Sequence, residues 1–290
     1  MFFATDEAPI YRKHEMIDLE ELISKLKKHE AFTIPHHTGI TWGGDSMGAS
    51  IDWNHPEWSS GESPIRPLIE IYSAHGQSEL YDPNFSLSYD NFLLSQRWKD
   101  WFTLNSNTIP KELNHTHGAV SINGAHYARD AWKEGIEFGV IASSDDHTAR
   151  PGQFHKGLAA ALVKSFDRKG VFEALRKKHT YGTTGQRIYM DFKINGQIQG
   201  SVLEKVTNLD VFIEINGTDT IEWVELVELE VEHHKYSVKK TWYPKNAYFK
   251  TSYKVLQKGH PKMYFVRMKQ KRQIKDRDVM AWSSPIWVNN

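Results

Sequence analysis

The sequence predicts an α/β domain over residues 1–189, built as an incomplete (βα) barrel, followed by a small antiparallel β-domain over residues 190–290. Three observations support this prediction. In the first part, apolar runs typical of buried strands alternate with helical patterns. About four strand–helix units are present, too few to close a barrel. In the second part, the tight-turn pairs Asn195-Gly196 and Asn216-Gly217 separate alternating β-patterns.

Individual elements follow from local signals in the first part of the chain. Asp18 can N-cap a helix that reaches about residue 30, and Asp167 can N-cap another that turns Phe172 and Leu175 inward. Buried strands are predicted at residues 31–35, 67–73, 136–142 and 157–163. Residues 76–124 show weak periodicity and predict a long excursion, and loops of this length are usually functional or disordered.

Composition excludes several classes of site. Cysteine is absent from the 290 residues, so disulfides and thiolate zinc sites are excluded and any metal must be held by His, Asp and Glu. No apolar run approaches the roughly 18 residues of a membrane span. The first residues lack the basic region and apolar core of a signal peptide. We therefore expect no membrane partner, and a cytoplasmic chain as written.

Charge is unevenly distributed although the formal net charge is zero. Residues 231–290 carry 14 Lys and Arg against 3 Asp and Glu, whereas the remainder carries 22 against 33. This asymmetry predicts that the basic segment packs electrostatically on the rest of the protein or on a partner subunit. Nucleic-acid binding is disfavoured because no recognised nucleic-acid motif accompanies the charge.

The segment Ser144-Asp145-Asp146-His147 carries the strongest chemical signal of the chain. It follows the apolar run of residues 139–142, and side chains two positions apart at a strand end point to the same side. Asp145 and His147 would thus present a carboxylate and an imidazole to one site, and this pair suits Zn²⁺, Mn²⁺ or Fe²⁺. The alternative is an Asp-rich turn that caps the next segment.

Other segments place metal-ligand side chains within or after apolar runs. His36 and His37 follow the predicted strand 31–35, and His75 follows the strand 67–73. Glu70 lies inside that strand, where burial of a carboxylate costs several kcal/mol unless a cation or hydrogen-bond donors compensate it. Structural histidines and an exposed edge strand are the alternatives for each segment alone. Together with Asp145, these segments favour a metal site.

The same segments resemble one branch of the PHP (polymerase and histidinol phosphatase) superfamily, a large bacterial group known mainly as a domain of unknown function. The similarity covers nearly the whole chain. It includes residues Ile34–Gly39, Ile69–Ser73 with His75, Gly76 and Glu79, Ala142–His147, Arg150–Gly152, Ala174–Arg176, Thr180–Ile188 and Ala281–Val288.

This resemblance implies a distorted (βα) barrel that holds two or three divalent metal ions and hydrolyses phosphate esters. Asp145 and His147 would be the late Asp-x-His ligand pair. His36 or His37 would be the histidine that follows a middle strand, and which of the two faces the metal stays open.

Further roles are implied by matching the same motifs. Glu70 and His75 would be a bridging carboxylate and an additional ligand. Asp145 could also accept a proton from the attacking water, and Arg150 could hold an anionic substrate oxygen, with a salt bridge to the neighbouring aspartate as its alternative. Arg187 is a second candidate for an anion contact, with barrel closure as its alternative.

The chain departs from the PHP pattern at its start. PHP proteins begin with a strand followed by a His-x-His pair, whereas the His-x-His here, His115-Thr116-His117, falls in the long excursion. The chain therefore looks like the C-terminal half of a longer family member, and full-length relatives are often exported. An incomplete barrel would expose strand edges, which predicts a homo-oligomer or a complementing N-terminal half.

Two functions follow from the sequence. The first is a metal-dependent hydrolase of the PHP type that acts on a phosphate ester or another small-molecule substrate. The second is an inactive or split-subunit remnant of such an enzyme, which would serve as a metal-binding or partner-binding module.

Overall fold

The computed structural model describes residues 2–4, 19–36, 38, 40–41, 65–82, 84–89, 119–120, 127–146, 148–150, 152–153, 156–256 and 260–289. These residues contain nineteen strands and three helices. The helices are α1 (Leu19–Leu26), α2 (Ala128–Lys133) and α3 (Arg168–Arg176). Across this part of the chain, no helix is long and apolar enough to cross a membrane.

In chain order the strands are β1 (Phe2–Phe3), β2 (Ala31–Phe32), β3 (Ile40–Thr41), β4 (Leu68–Ser73), β5 (Gly76–Gln77), β6 (Ala119–Val120), β7 (Gly139–Ala142), β8 (Leu158–Ala161), β9 (Thr180–Thr183), β10 (Tyr189–Ile194), β11 (Gln197–Ile198), β12 (Val202–Glu204), β13 (Asn208–Asn216), β14 (Ile221–Glu230), β15 (Lys235–Trp242), β16 (Tyr248–Leu256), β17 (Lys262–Gln270), β18 (Met280–Ser283) and β19 (Ile286–Asn289).

The strands form one large sheet and several smaller ones. The eight-stranded sheet has the order β12-β19-β17-β18-β9-β8, and β14 joins it beside β17 with β15 outside β14. A four-stranded sheet has the order β11-β10-β13-β16, and a three-stranded sheet has the order β5-β4-β7. The pairs β1-β2 and β3-β6 complete the assignment.

The eight-stranded sheet is the middle layer, and strand β17 shows why. Alternate side chains of a strand point to opposite faces of the sheet. Met263 and Phe265 pack into the core shared with α2 and the three-stranded sheet. Tyr264 and Val266 pack into the core shared with the four-stranded sheet. Burial on both faces explains why this segment is apolar at successive positions.

Helix α3 covers the outer face of the three-stranded sheet. The carboxylate of Asp167 accepts a hydrogen bond from the Gly170 amide at 2.6 Å, so the predicted N-cap is confirmed. Phe172 and Leu175 pack against Leu68 of β4, in a cluster that includes Ile141 of β7. Strands β4 and β7 are thereby covered on both faces and hold the candidate site between two cores.

The predicted α/β architecture with a partial (βα) barrel is wrong. Most strand pairs are antiparallel, the described residues contain three short helices, and the sheets among them are layered and do not close into a barrel. Strands β4 and β7 pair in parallel, as barrel strands would, but β5 then pairs antiparallel with β4. A strand of a barrel and a strand buried between two cores both have a short apolar sequence. The sequence pattern therefore could not distinguish a barrel from layered sheets.

The predicted division of the chain at residue 190 does not coincide with a division between sheets. Strands β8 and β9 precede it in sequence, yet β9 pairs with β18 and both belong to the eight-stranded sheet. The basic segment 231–290 supplies cations to acidic residues elsewhere in the chain. Arg267 pairs with Glu79 and with Glu225, and Lys250 pairs with Glu214 at 3.3 Å. The predicted electrostatic packing of this segment on the rest of the chain is therefore confirmed within one molecule.

Candidate metal centre

The candidate site lies where β4 and β7 end. The two strands run side by side in parallel, so their C-terminal ends meet at the same edge of the three-stranded sheet. The turn after β4 carries His75, and the segment after β7 carries Asp145. His36 approaches the same edge because the preceding Pro35 accepts a hydrogen bond from the Glu70 amide at 3.1 Å.

Glu70 is the buried acid of this site, with 3% of its surface exposed. Both of its carboxylate oxygens lie 2.9 Å from His36 Nδ1. The hydroxyl of Ser143, the first residue after β7, donates to Oε2 of the same carboxylate. Hydrogen-bond donors from two other segments thus compensate the burial of this charge, as such a position requires. Sequence reasoning missed Ser143, because a serine after a strand carries no distinguishing signal.

His36 connects Glu70 to Asp145. Its Nε2 lies 3.6 Å from Asp145 Oδ2, beyond hydrogen-bond distance, and 48% of its side chain is exposed. Partial burial lowers the pKa of the imidazole, but the hydrogen bond to Glu70 and the charges of both carboxylates outweigh it. The pKa is therefore raised above its ordinary value. These carboxylates favour a positive charge at this position.

His75 approaches Asp145 from the other side. Its Nδ1 contacts Asp145 Oδ2, and each of the two side chains is only 12% exposed. The amide of His75 donates to the Ser73 hydroxyl at 3.2 Å, which holds the turn after β4. Asp145 itself has a φ of 43°, in the left-handed region that Asp tolerates better than most residues. The chain leaves the direction of β7 at this point, and the Asp145 carboxylate faces both histidines.

We call the resulting set, His75–Asp145–His36–Glu70, the carboxylate–imidazole chain. Among the residues that the structure describes, no group of three or more His, Asp or Glu side chains has an arrangement that would hold a metal ion. The imidazole nitrogens of His36 and His75 face carboxylate oxygens instead. Two carboxylates and two imidazoles are nevertheless the donor types that Zn²⁺, Mn²⁺ and Fe²⁺ accept. By donor type alone the set suits such a cation, which would have to replace imidazole–carboxylate contacts on binding.

The other residues predicted near this site are placed differently. His37 and His147 lie outside the described residues, so their roles as ligands stay predictions. Arg150 is exposed, and its amide donates to the Asp146 carboxylate at 2.5 Å. Asp146 takes its ion pair from Lys156. That pair comes first among the causes that lower the Asp146 pKa to about 2, so the carboxylate is ionised across the physiological range.

Arg187 belongs to another part of the structure. It follows β9 and lines a cavity beside β8 and β9, with Gln186 and Tyr181 next to it. The sequence could not separate this cavity from the candidate metal centre, because both lie near strands that follow one another in the chain.

Two contacts from the basic segment support the turn that carries His75. The guanidinium of Arg277 donates to the carbonyl of Ala74 and lies over the ring of Tyr72, with its carbon 5.7 Å from the ring centroid. Deeper in the core, Glu79 is fully buried and accepts a hydrogen bond from the Trp282 indole at 2.6 Å. The uneven charge was the sequence signal for the contacts of Arg277, but it could not identify their partners, and it gave no signal for the uncharged Trp282.

Comparisons with known proteins give relatives but no family. No known protein-family profile matches the chain, and no solved structure matches it. The chain is 25% identical to a protein of Chlamydia trachomatis serovar D, 24% identical to one of Chlamydia muridarum and 25% identical to one of Chlamydia pneumoniae. Each alignment covers 96% of this chain and 42% of the relative, so the chain spans less than half the length of these proteins. All three are described only as uncharacterized.

Proposed function

We propose that the chain carries the divalent-metal site of a hydrolase that acts on phosphate esters, with the carboxylate–imidazole chain as its ligand set. The observation that carries this proposal is the convergence of three segments on one edge of the three-stranded sheet. His36 lies 34 residues before Glu70 in sequence, Glu70 and His75 come from β4 and the turn after it, and Asp145, whose carboxylate contacts His75, comes from the segment after β7.

The charge of the site supports a cation. Glu70 is buried and Asp145 is mostly buried, and both carboxylates lie beside the imidazole of His36. Two acids that share one partner repel each other unless a positive charge lies between them. A protonated imidazole can supply one positive charge, whereas a divalent ion would neutralise both carboxylates.

The chain's own residues fit the requirements of ester hydrolysis. A bound divalent ion supplies Lewis acidity and lowers the pKa of water. Asp145 is placed to accept a proton, because its carboxylate lies at the edge of the site and contacts the His75 imidazole. Lys156 pairs with the Asp146 carboxylate, next in sequence to Asp145, so this additional acid adds no net negative charge beside an anionic substrate. The resemblance of these motifs to the PHP superfamily points to the same chemistry.

One observation favours a second function. The members of the carboxylate–imidazole chain contact one another, and the described residues contain no ready-made cation site. Such an arrangement would also suit a non-catalytic module in which imidazoles neutralise buried carboxylates. This module would bind a partner through another surface.

Metal content combined with hydrolysis of two model esters separates these functions. We expect the purified chain, loaded with Zn²⁺ or Mn²⁺ and then desalted, to retain metal and to hydrolyse bis(p-nitrophenyl) phosphate or p-nitrophenyl phosphate. Asp145→Asn and Glu70→Gln keep the shape of each side chain and remove its charge. Both should lower the bound metal and the hydrolysis together.

The matched control is Asp210→Asn, an exposed aspartate on β13 whose carboxylate lies 3.9 Å from Lys254. It should change neither quantity. Wild-type chain that retains no metal after loading would exclude the hydrolase and leave the non-catalytic module. Metal retention that is identical in all four proteins would remove the assignment of the ligands.

A further inference from the structure

The turn that leads from β8 into helix α3 presents an almost fully exposed aromatic ring. Phe166 lies just before Asp167, the N-cap residue of α3, and 95% of its surface is exposed. An apolar residue at this position commonly packs against the fourth residue of its helix, which here is Val171. Val171 instead packs inward, with the cluster of Phe172 and Leu175. The ring of Phe166 therefore projects into solvent from the tip of the turn.

The course of this turn is fixed by contacts with the first turn of α3. The Asp167 carboxylate accepts a hydrogen bond from the Gly170 amide at 2.6 Å, and the Val171 amide donates to the Asp167 carbonyl at 3.0 Å. A Cβ atom at residue 170 would clash with the Ser165 carbonyl oxygen, so this close approach needs glycine. Backbone contacts thus hold the chain on both sides of Phe166, and its exposure is a property of the folded turn.

Basic side chains flank this ring. Between residues 164 and 179 the chain has six Lys and Arg against two Asp and Glu. Lys164, Arg168 and Lys169 are all exposed and lie within three residues of Phe166 in sequence. Lys164 and Lys169 form no ion pair with a carboxylate of the described residues. Their charges are therefore available to an anionic partner.

A second segment adds positive charge to the same surface. The Leu162 amide, just after β8, donates to the His179 carbonyl at 2.9 Å, which brings the residues after α3 beside those before it. Burial lowers the pKa of the His179 imidazole, and the charges of Lys177 and Lys164 lower it further. Both lysines thus act on one imidazole, although α3 separates them in sequence. We call the surface formed by Lys164, Phe166, Arg168, Lys169 and Lys177 the Phe166 patch.

The two acids of this segment are already engaged. The Asp167 carboxylate caps α3, and Glu173 pairs with Arg176 at 3.1 Å and with Lys177 at 3.5 Å. The Phe166 patch thus combines an apolar tip with positive surroundings. A membrane surface binds an apolar group and a basic cluster together more strongly than it binds either one alone.

We propose that the Phe166 patch binds the surface of an anionic lipid bilayer, with the Phe166 ring in the headgroup region and the basic side chains at lipid phosphates. The positive charge suits an anionic partner. The convex tip suits a deformable one, because a rigid partner would need a matching pocket, whereas lipids close around an inserted ring.

This contact is separate from the features described so far. It needs no membrane-spanning segment, whereas the expectation of no membrane partner rested on the absence of one. It is also independent of the proposed metal centre, because no residue of the Phe166 patch belongs to the carboxylate–imidazole chain.

Co-sedimentation of the full chain with lipid vesicles tests the proposal. The vesicles consist of phosphatidylcholine alone, or of phosphatidylcholine and phosphatidylglycerol in equal parts. We expect binding to the anionic vesicles that added salt weakens, because salt screens the basic side chains from the lipid phosphates. Phe166→Ala should weaken this binding about tenfold or more, since its ring would no longer leave water on binding. Lys164→Gln and Lys169→Gln should each weaken it about fivefold.

Matched controls lie outside the Phe166 patch. Tyr243→Ala removes another exposed aromatic ring and Lys254→Gln another exposed lysine, and both variants should bind as the wild type does. The sequence contains no cysteine, so a single fluorescent dye can be attached at a chosen position. An environment-sensitive dye on Ser165→Cys should brighten and shift to the blue with anionic vesicles. The same dye on Ser252→Cys, an exposed position of β16, should not change.

Three results would overturn the proposal. In the first, the chain sediments with neither kind of vesicle, or equally with both. In the second, Phe166→Ala binds the anionic vesicles as tightly as the wild type does. In the third, a single-stranded oligonucleotide binds the chain, and Phe166→Ala weakens that binding more than it weakens binding to vesicles. This last result would assign the Phe166 patch to nucleic acid.

Discussion

The buried Glu70 carboxylate is hydrogen-bonded to the partly exposed His36 imidazole. Both carboxylate oxygens of Glu70 lie 2.9 Å from His36 Nδ1, although Glu70 is buried and nearly half of the His36 side chain is exposed. The charge of the buried acid is therefore matched from the open side of the site. A cation that replaced the imidazole proton would enter by the same side.

The first prediction concerns this buried acid. Glu70→Gln keeps the size of the side chain but replaces a carboxylate, whose oxygens accept from His36 and Ser143, by an uncharged amide with a single acceptor oxygen. We expect a loss of about 1–3 kcal/mol in the free energy of unfolding, measured with urea. Zn²⁺ should raise the melting temperature of the wild type, because a ligand of the folded state stabilises it, and should raise that of Glu70→Gln less.

Glu204→Gln is the control for this experiment, since Glu204 is exposed and contacts Asn289 at the surface. It should change the free energy of unfolding by no more than about 0.5 kcal/mol. If Zn²⁺ raised the melting temperature of Glu70→Gln as much as that of the wild type, Glu70 would not be a ligand.

The second prediction concerns the close approach of β9 to β7. A Cβ atom at Gly182 would lie 2.7 Å from the Ala142 amide nitrogen. This nitrogen belongs to the backbone of β7, so it cannot move aside as the end of a flexible side chain could. Gly182→Ala should therefore destabilise the chain by about 1–3 kcal/mol, as other overpacked positions do. It should also reduce metal retention, because Ala142 precedes the Ser143 that donates to Glu70.

Gly196→Asn provides the comparison for Gly182→Ala. Gly196 has a φ of 78° in an open turn, and Asn tolerates this conformation better than other side chains. We expect a small change in the urea midpoint and no change in metal retention. A stable Gly182→Ala protein with full metal retention would show that β9 can move away from β7 without effect.

These contacts show which parts of the fold were accessible from sequence. The pair Asn195-Gly196 predicted a tight turn, and it connects the antiparallel strands β10 and β11 with a positive φ at both residues. The pair Asn216-Gly217 carries the same local signal but joins β13 to β14, which belong to different sheets. Local turn chemistry specifies a change of direction, whereas strand partners depend on long-range packing.

In the candidate site, too, some features could be predicted from the sequence and others could not. Glu70 could be singled out because a carboxylate inside an apolar run requires compensation, and the structure supplies it from His36 and Ser143. The architecture around it could not be predicted, because β4 and β7 owe their apolar sequence to cover by two cores and not to a barrel. Arg187 was predicted to contact an anion, and nothing local to it indicated that it lines a separate cavity beside β8 and β9.

The third prediction concerns the buried acid that ties the three-stranded sheet to the middle layer. The fully buried carboxylate of Glu79 pairs with Arg267 and accepts hydrogen bonds from Trp282 and Tyr236, each at 2.6 Å. Glu79→Gln should cost about 3–5 kcal/mol of stability, because it leaves a largely buried guanidinium with a weaker partner. Urea unfolding of the single variants Glu79→Gln and Arg267→Met and of the double variant measures their coupling.

We expect the double variant to be more stable than the sum of the two single losses allows, by about 1–3 kcal/mol. Arg267 also pairs with Glu225 at 2.8 Å, which is why the coupling should fall short of the full cost of either change. Additive losses would show that Glu79 and Arg267 act separately.

The fourth prediction concerns pH and the buried acid of β14. Burial raises the pKa of the Glu228 carboxyl, but hydrogen bonds from Tyr264 and Lys239 and the charges of Lys239 and Lys262 outweigh burial. The pKa is therefore lowered below its ordinary value. At pH values between the two pKa values the unfolded chain binds more protons than the folded chain, so this carboxylate stabilises the folded state above the unfolded pKa.

The stability difference between wild type and Glu228→Gln should accordingly be constant from neutral pH down to about 5 and shrink below the ordinary Glu pKa of about 4.3. Urea unfolding at a series of pH values measures it, with exposed Glu204→Gln as the reference for general acid effects. In Glu228→Gln, Lys239 and Lys262 face a neutral amide instead of a carboxylate. Protonation of Glu228 at low pH places the same two lysines beside a neutral group in the wild type. The stability difference between the two proteins that comes from this charge therefore disappears. A difference that stayed constant down to pH values near 3 would mean that these lysines do not hold the carboxylate in its ionised form.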